Sequence, residues 1–308
     1  MKVYNSIDEF LRISFAVVTI GTFDGVHAGH RKILSRLVEL ARTNGGETVV
    51  LTFFPHPRMV LQPDDNDLKL ISTMEEKIIL LREAGIHHLV IQSFSKEFSR
   101  IGATEFVRDI LVNKIGTRML VIGYDHHFGR NREGSYKDLE ELAPLYNFKL
   151  EEILEQDINE VAVSSTKIRK ALMEGDIRTA NLLLSYDFSL TGTVVEGERI
   201  GRSLGFPTAN IRIEENYKII PAEGIYAVTV KVEGKQYKGM LYIGRRPALG
   251  GTSQTIEVNI FDFDMDIYGK KITVFLKERI RGDQHFENLE LLRKRMHEDK
   301  IHATKILS

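Results

Sequence analysis

Gly21-Thr-Phe-Asp-Gly-Val-His-Ala-Gly-His30 is the stretch from which the first half of this chain is read. It follows Phe15-Ala-Val-Val-Thr-Ile20, an apolar run rich in β-branched residues that predicts a buried strand. It precedes Arg31 to Asn44, where Ile33, Leu34, Leu37, Val38, Leu40 and Ala41 recur at helical spacing and Gly45-Gly46 supplies a stop. The ten residues therefore form a strand-to-helix turn. Its glycines let the backbone come close to a ligand, and the helix start offers free N–H groups at the positive end of a dipole, a natural anion site. His27 and His30, three residues apart, face the same way across the first helical turn. Imidazoles placed there donate hydrogen bonds to phosphate oxygens and stabilise charge that builds up in phosphoryl or nucleotidyl transfer.

Outward from the turn, to about residue 155, strands alternate with helices. Thr48 to Phe54, His88 to Gln92 and Met119 to Gly123 read as further strands, with a weaker one near Phe148 to Ile153. Thr73-Met-Glu-Glu76 resembles a capping box opening a helix that ends at Gly85; Phe106 to Ile115 and Tyr136 to Tyr146 are also helical. The alternation predicts an α/β, Rossmann-like domain with a parallel sheet covered on both faces. Ligands then bind beyond the carboxyl ends of the strands. The polar segments Phe54-Pro-His-Pro-Arg58, Gly123-Tyr-Asp-His-His-Phe-Gly129 and Val163-Ser-Ser-Thr-Lys-Ile-Arg169 all follow strands. In the last, Ser164 or Ser165 caps a helix whose first turn carries Lys167 and Arg169, cations that an anionic ligand would reconcile with the dipole. His56 stands either at a ligand or in a rigid two-proline turn. The paired His126 and His127 do not make a metal site, since no carboxylate or third histidine stands at ligand spacing.

The second half is a different kind of chain. Two short helices run between Ala171 and Ser185 through Gly175-Asp176. From Ser189 to Val195, Ile225 to Val232, Tyr237 to Ile243, Thr255 to Phe261 and Ile272 to Leu276 the pattern is that of strands, many of them alternating. With turn signals at Glu233-Gly234 and Tyr268-Gly269 and a terminal helix from about Phe286 to Glu298, this predicts a closed antiparallel Greek-key β-barrel with a helix at its end. The expected domains are 1–186 and 187–308.

Length and composition agree: 308 residues suffice for two cores, and 43% hydrophobic with 28% charged residues is globular. The formal charge of −1 offers no field for nucleic acid or an anionic membrane. No cysteine is present, which rules out disulfides and thiolate metal sites and suits the cytoplasm, and no apolar run reaches membrane-spanning length.

The turn, in its form G-x-F-D-G-V-H-x-G-H, resembles the H-x-G-H signature of nucleotidyltransferases and, more closely, the FMN adenylyltransferase module of bacterial FAD synthetases. Ser164-Ser-Thr-x-Ile-Arg169 resembles the second signature of that superfamily. The resemblance implies that His27 and His30 are catalytic, that Gly21, Phe23, Asp24, Gly25, Gly29, Ser164, Thr166 and Arg169 bind ATP phosphates, and that His56 and Asp125 lie at the flavin. In the second half, Gly201-Arg-Ser-Leu-Gly-Phe-Pro-Thr-Ala-Asn210 resembles the ATP–magnesium signature of riboflavin kinases. By that resemblance Gly205 and Pro207 bind ATP and Thr208 and Asn210 hold Mg²⁺, a role that a hydroxyl and an amide oxygen two apart on an extended chain suit chemically. The strand Glu257-Val-Asn-Ile-Phe-Asp-Phe263 resembles the family's glutamate strand, which makes Glu257 the base for the ribityl hydroxyl. Arg279 and Arg281 fall in the flavin-loop region.

Two departures touch the kinase. Tyr242-Ile-Gly-Arg-Arg-Pro-Ala248 stands where the family reads N-I-G-x-R-P-T, and Asn259 stands where a histidine is usual. The reading implied is a bifunctional riboflavin kinase and FAD synthetase with ATP as co-substrate and riboflavin, FMN and FAD as its flavins. The alternatives are a monofunctional adenylyltransferase with an impaired barrel, a transferase acting on another phosphorylated small molecule, and a flavin-binding regulator.

Overall fold

A computed structural model describes residues 1–62, 68–124, 126–154, 163–197, 201, 204–248 and 251–308, with backbone only at 246–248 and 251–253. The chain forms two compact units, Met1–Ser164 and Ser165–Ser308. Asp125 lies outside the described residues, as do Arg202 and Ser203 of the second-half signature.

The first unit is built on a six-stranded sheet of β1 (Lys2–Tyr4), β2 (Ala16–Ile20), β3 (Glu47–Phe54), β4 (His88–Ser93), β5 (Thr117–Gly123) and β6 (Lys149–Ile153), in the order β1-β4-β3-β2-β5-β6. Every neighbouring pair is parallel. All five residues of β2 are buried, which is why its sequence is continuously apolar rather than alternating. Val18 and Ile20 join one core with Leu51, Leu120, Phe106 and Leu111. Val17 joins the other with Val50, Val121 and the inner face, Leu34, Leu37 and Ala41, of α1 (Ala28–Thr43). From β2 the chain moves to β3 on one side, and β5 returns to the other side. The carboxyl ends of β2 and β5 thus flank the crevice where such sheets bind ligands.

Of the other helices, α2 (Pro57–Leu61) is short, and α3 (Met74–Glu83) opens on the expected capping box between Thr73 and Glu76. α4 begins at Ala103–Glu105 and continues as a π-helix over Phe106–Ile115, ended by Gly116 at φ 76°. α5 spans Tyr136–Tyr146. β1 carries no signal of its own: its three residues pair with His88, Leu89 and Val90, and Tyr4 adds a hydroxyl contact to His88 Nδ1 at 3.1 Å.

The second unit begins with α6 (Ser165–Glu174) and α7 (Ile177–Leu184). A closed barrel follows, made of β7 (Ser189–Val195), β8 (Ala209–Arg212), β9 (Gly224–Val232), β10 (Lys235–Ala248), β11 (Gly251–Ile260) and β12 (Lys271–Arg281), ordered β10-β11-β8-β7-β12-β9 and antiparallel at every pair. Asn181 ties α7 to it, donating to the Leu276 carbonyl at 2.8 Å and accepting from the Phe188 amide at 2.7 Å. The terminal helix α8 runs over Leu289–Ile306, starting later and ending later than its sequence pattern suggests. Its start is set by Asn288, whose side chain accepts from the Leu291 amide at 2.9 Å. Its body packs on the outside of the barrel through Ala303, against Phe206, Ala227, Met240 and Phe261.

Candidate functional sites

At the carboxyl end of β2 the chain makes its strand-to-helix turn with three residues at positive φ: Phe23 (46°), Gly25 (77°) and Val26 (39°). Glycine is required at position 25 for a second reason, since a Cβ there would stand 2.7 Å from Cγ2 of Ile71. Asp24 is sealed beneath, 1% exposed, and its carboxylate accepts the amides of Ile71 (3.0 Å) and Ser72 (3.3 Å). The amide of Gly25 donates to Ser72 Oγ at 3.1 Å. Asp24 thus fastens the turn to the segment leading into α3.

His27 caps α1, its Nδ1 accepting from the His30 amide at 3.3 Å. The imidazoles of His27 and His30 stack, centroids 3.6 Å apart and planes 14° from parallel. The edge of Phe23 meets His30 at 5.0 Å. The spacing of three therefore does bring the two rings together. His30 Nδ1 is buried with no hydrogen-bond partner among the described residues, a polar atom with capacity for a ligand. Burial pushes the His30 imidazole well below its ordinary pKa, and the neighbouring His27 and Lys77 push the same way.

Lys77 is a residue of this site that motif reading does not reach. It is 3% exposed, and its Nζ donates to the Thr22 carbonyl at 2.7 Å. Burial draws its ammonium down to about 8, opposed by the charge of Asp24. In sequence it resembles any solvated helix lysine; the available signal is its four-residue spacing to Leu81, which shares the buried face of α3.

Around this turn, His56 sits beyond the carboxyl end of β3 and caps α2, accepting from the Arg58 amide at 3.2 Å. Ser164 closes the first unit, while Thr166 and Arg169 stand in the first two turns of α6.

In the barrel, Thr208 Oγ1 donates to Glu257 Oε2 at 2.9 Å. Glu257 is 8% exposed and lies opposite Asn210 of β8 on one side and Tyr242 of β10 on the other. These three share the outer face, because Leu241, Val258 and Tyr226, in register one step away, are fully buried in the barrel interior. Asn259, two residues along the same face, donates to the Pro207 carbonyl at 2.7 Å. Glu257 and Asn259 of β11 therefore hold the Pro207-Thr208 segment against the strand. The Asn259 departure keeps a donor where one is used.

Pro207 and Thr208 also border a cavity of about 420 Å³, lined in addition by Val258, Ile260, Phe263 and Tyr268. Gly205 has φ 84°, and a Cβ there would meet nothing within 4 Å.

Tyr242 hydrogen-bonds through its hydroxyl to Asp283 at 3.3 Å. Its ring lies across Gly244, where an added Cβ would stand 2.0 Å from the phenol oxygen. The Ala248 side chain lies outside the described residues. Arg281 is engaged by Asp299, Nη2 to Oδ2 at 2.8 Å and Nε to both oxygens at 3.1 Å. Arg279 donates to the carbonyls of Glu174 and Glu223 and lines a different groove from the cavity beside Thr208.

The family model for FAD synthetase matches residues 12–167, and that for riboflavin kinase matches residues 184–307. A bifunctional riboflavin kinase/FMN adenylyltransferase of Buchnera aphidicola is 35% identical over 309 residues, covering 99% of this chain and 98% of its own. That of Escherichia coli K12 is 35% identical over 288 residues, 93% of this chain and 91% of the relative. That of Bacillus subtilis is 33% identical over 300 residues, 95% and 93%. A solved structure described as a macrolide-efflux protein from Streptococcus pneumoniae matches with a TM-score of 0.90 and 29% identity over 98% of both chains. Among the described residues of this chain no helix is long and apolar enough to cross a membrane.

Proposed function

Because the chain belongs to the bifunctional riboflavin kinase/FMN adenylyltransferase family, we propose that it phosphorylates riboflavin with one ATP and joins the resulting FMN to the AMP of a second, releasing pyrophosphate. We assign the adenylyl transfer to residues 1–186 and the kinase step to 187–308, working in the cytoplasm on small molecules alone.

In the first step Glu257 accepts the proton of the ribityl hydroxyl and aims its oxygen at the γ-phosphate. Thr208 orients the Glu257 carboxylate with its single hydroxyl hydrogen, which leaves the lone pairs of Oγ1 for a cation. Asn210, beside Glu257 in the ladder, adds an amide oxygen. This hard-oxygen set fits Mg²⁺, whose remaining positions phosphate oxygens and water would fill. When bound, that ion supplies neutralisation of the phosphate charge that develops in transfer.

In the second step His27 and His30 hydrogen-bond the triphosphate at the start of α1 and stabilise charge on the leaving pyrophosphate. His30 serves as a neutral hydrogen-bonding partner, its burial disfavouring the charged ring.

Two activities rather than one are supported by a single observation: the Thr208–Glu257 hydrogen bond beside Asn210 is intact in spite of Tyr242 and Asn259. Incubation with riboflavin, ATP and Mg²⁺, followed by chromatographic separation of flavins, is expected to give FMN first and then FAD. FAD from added FMN but none from riboflavin would instead mean a monofunctional adenylyltransferase. Flavin recovered unchanged in both cases would mean a binding protein.

A further inference from the structure

The buried ammonium beneath the histidine turn has no place in the steps above. It is costly, since a charge removed from water loses hydration that its surroundings must replace. Its one described hydrogen bond goes to the Thr22 carbonyl, which also accepts from Thr52 Oγ1 at 3.3 Å. A neutral donor would satisfy that carbonyl as well. The opposing charge is Asp24, whose oxygens are already occupied by the amides of Ile71 and Ser72. The pair is therefore not a tight salt bridge that explains itself.

We propose that Lys77 is a positioning residue of the adenylyl-transfer site: its ammonium, sealed beneath the Gly21–His30 turn, supplies fixed positive charge that draws the triphosphate to the two imidazoles without touching the ligand. The inference rests on the reading of this turn as the triphosphate site.

The arrangement resolves a conflict. Two stacked imidazoles 3.6 Å apart cannot both carry charge, and burial disfavours even one imidazolium. Neutral rings add little long-range attraction for a triphosphate to what the dipole at the start of α1 supplies. A lysine one layer deeper provides the field and, by the same repulsion, holds His30 neutral and able to serve as a directional hydrogen-bonding partner. The titratable groups that face His30 are His27 from its own helix and Lys77 from α3, with Asp24 facing Lys77 from the turn.

The test uses the full chain labelled at histidine, with α,β-methylene-ATP and Mg²⁺ as probe, read through the His30 ring proton. That signal reports the turn and not the barrel. Lys77→Met is expected to weaken binding at this site about tenfold, the effect of roughly 1.4 kcal/mol. It is also expected to move the free-state titration of His30 up toward its ordinary value, and Lys77→Arg is expected to restore both. Unchanged affinity or an unmoved His30 titration in folded Lys77→Met overturns the proposal.

Should Lys77→Met fail to fold, the wild type decides. Affinity at the turn is expected to fall as pH rises through about 8, where the ammonium loses its proton, and constant affinity from about pH 7 to 9 overturns the proposal. If the analogue leaves the wild-type His30 signal untouched, the assignment of the turn itself fails, and the role of Lys77 with it.

Discussion

Thr208 gives its hydroxyl hydrogen to Oε2 of Glu257 across 2.9 Å, joining the segment before β8 to the middle of β11. The bond sets which way the carboxylate faces. Glu257→Gln keeps the shape and removes the base, so FMN formation is expected to fall by at least ~10²-fold. Conversion of supplied FMN to FAD should hardly change. Initial rates of the two half-reactions, measured separately, check both statements.

Arg281 and Asp299 form the most buried ion pair described, with side chains 9% and 1% exposed. The bidentate contact pins α8 to the end of β12. Asp299→Asn leaves the guanidinium facing a neutral amide in a buried site, and Arg281→Met leaves the carboxylate without its main partner. Either change is expected to lower the unfolding free energy of the barrel unit by about 3–5 kcal/mol, read from urea titration. A loss below about 1 kcal/mol in both would mean the helix is held by its apolar contacts alone.

Gly25→Ala forces a Cβ into a backbone at φ +77° and to within 2.7 Å of Ile71. The cost is expected to be about 1–3 kcal/mol. Because Ile71 and Ser72 are held by Asp24, the displacement falls on the turn itself. FAD formation should drop while riboflavin phosphorylation persists.

The folded chain holds His30 below its ordinary pKa, whereas the unfolded chain takes up a proton there near pH 6.5. Between those values the unfolded state binds more protons. Stability is therefore fully present above about pH 6.5 and is lost as pH falls toward the folded value. His30→Gln removes this contribution. Chemical denaturation of wild type and variant at pH 7.5 and 5.5, on scale of the ordinary histidine titration, should show the steeper acid loss in the wild type.

Much of this was legible in the sequence, for reasons that differ by element. β2 declares itself because a strand buried on both faces must be apolar throughout, and α1 because its inner face repeats at helical spacing. The glycine turn declares itself because close backbone approach permits few residue types, whereas the Thr208–Asn210 segment is legible only through its resemblance to the riboflavin kinase signature. β1 is silent because three residues are too few to show a period, and the contacts of Tyr4 with His88 and Phe10 appear only in three dimensions. Lys77 was silent because only tertiary packing converts a helix lysine into a buried charge. The extra turns of α8 escape notice because that helix keeps just Asp299 and Ala303 buried and so lacks a strong apolar stripe. Arg281 falls in the flavin-loop region by its place in the chain, and its bidentate grip on Asp299 shows only in three dimensions.

The most direct test of two separate sites on one chain is product analysis of His30→Ala and Glu257→Gln, each given riboflavin, ATP and Mg²⁺ and, in parallel, FMN, ATP and Mg²⁺. His30→Ala is expected to accumulate FMN and to make FAD roughly 10²–10³-fold more slowly, the usual cost of one transition-state donor. Glu257→Gln is expected to make FAD from FMN but almost none from riboflavin. Parental FAD formation from FMN in His30→Ala would contradict the assignment of the histidine turn, and parental FMN formation in Glu257→Gln would contradict that of the barrel.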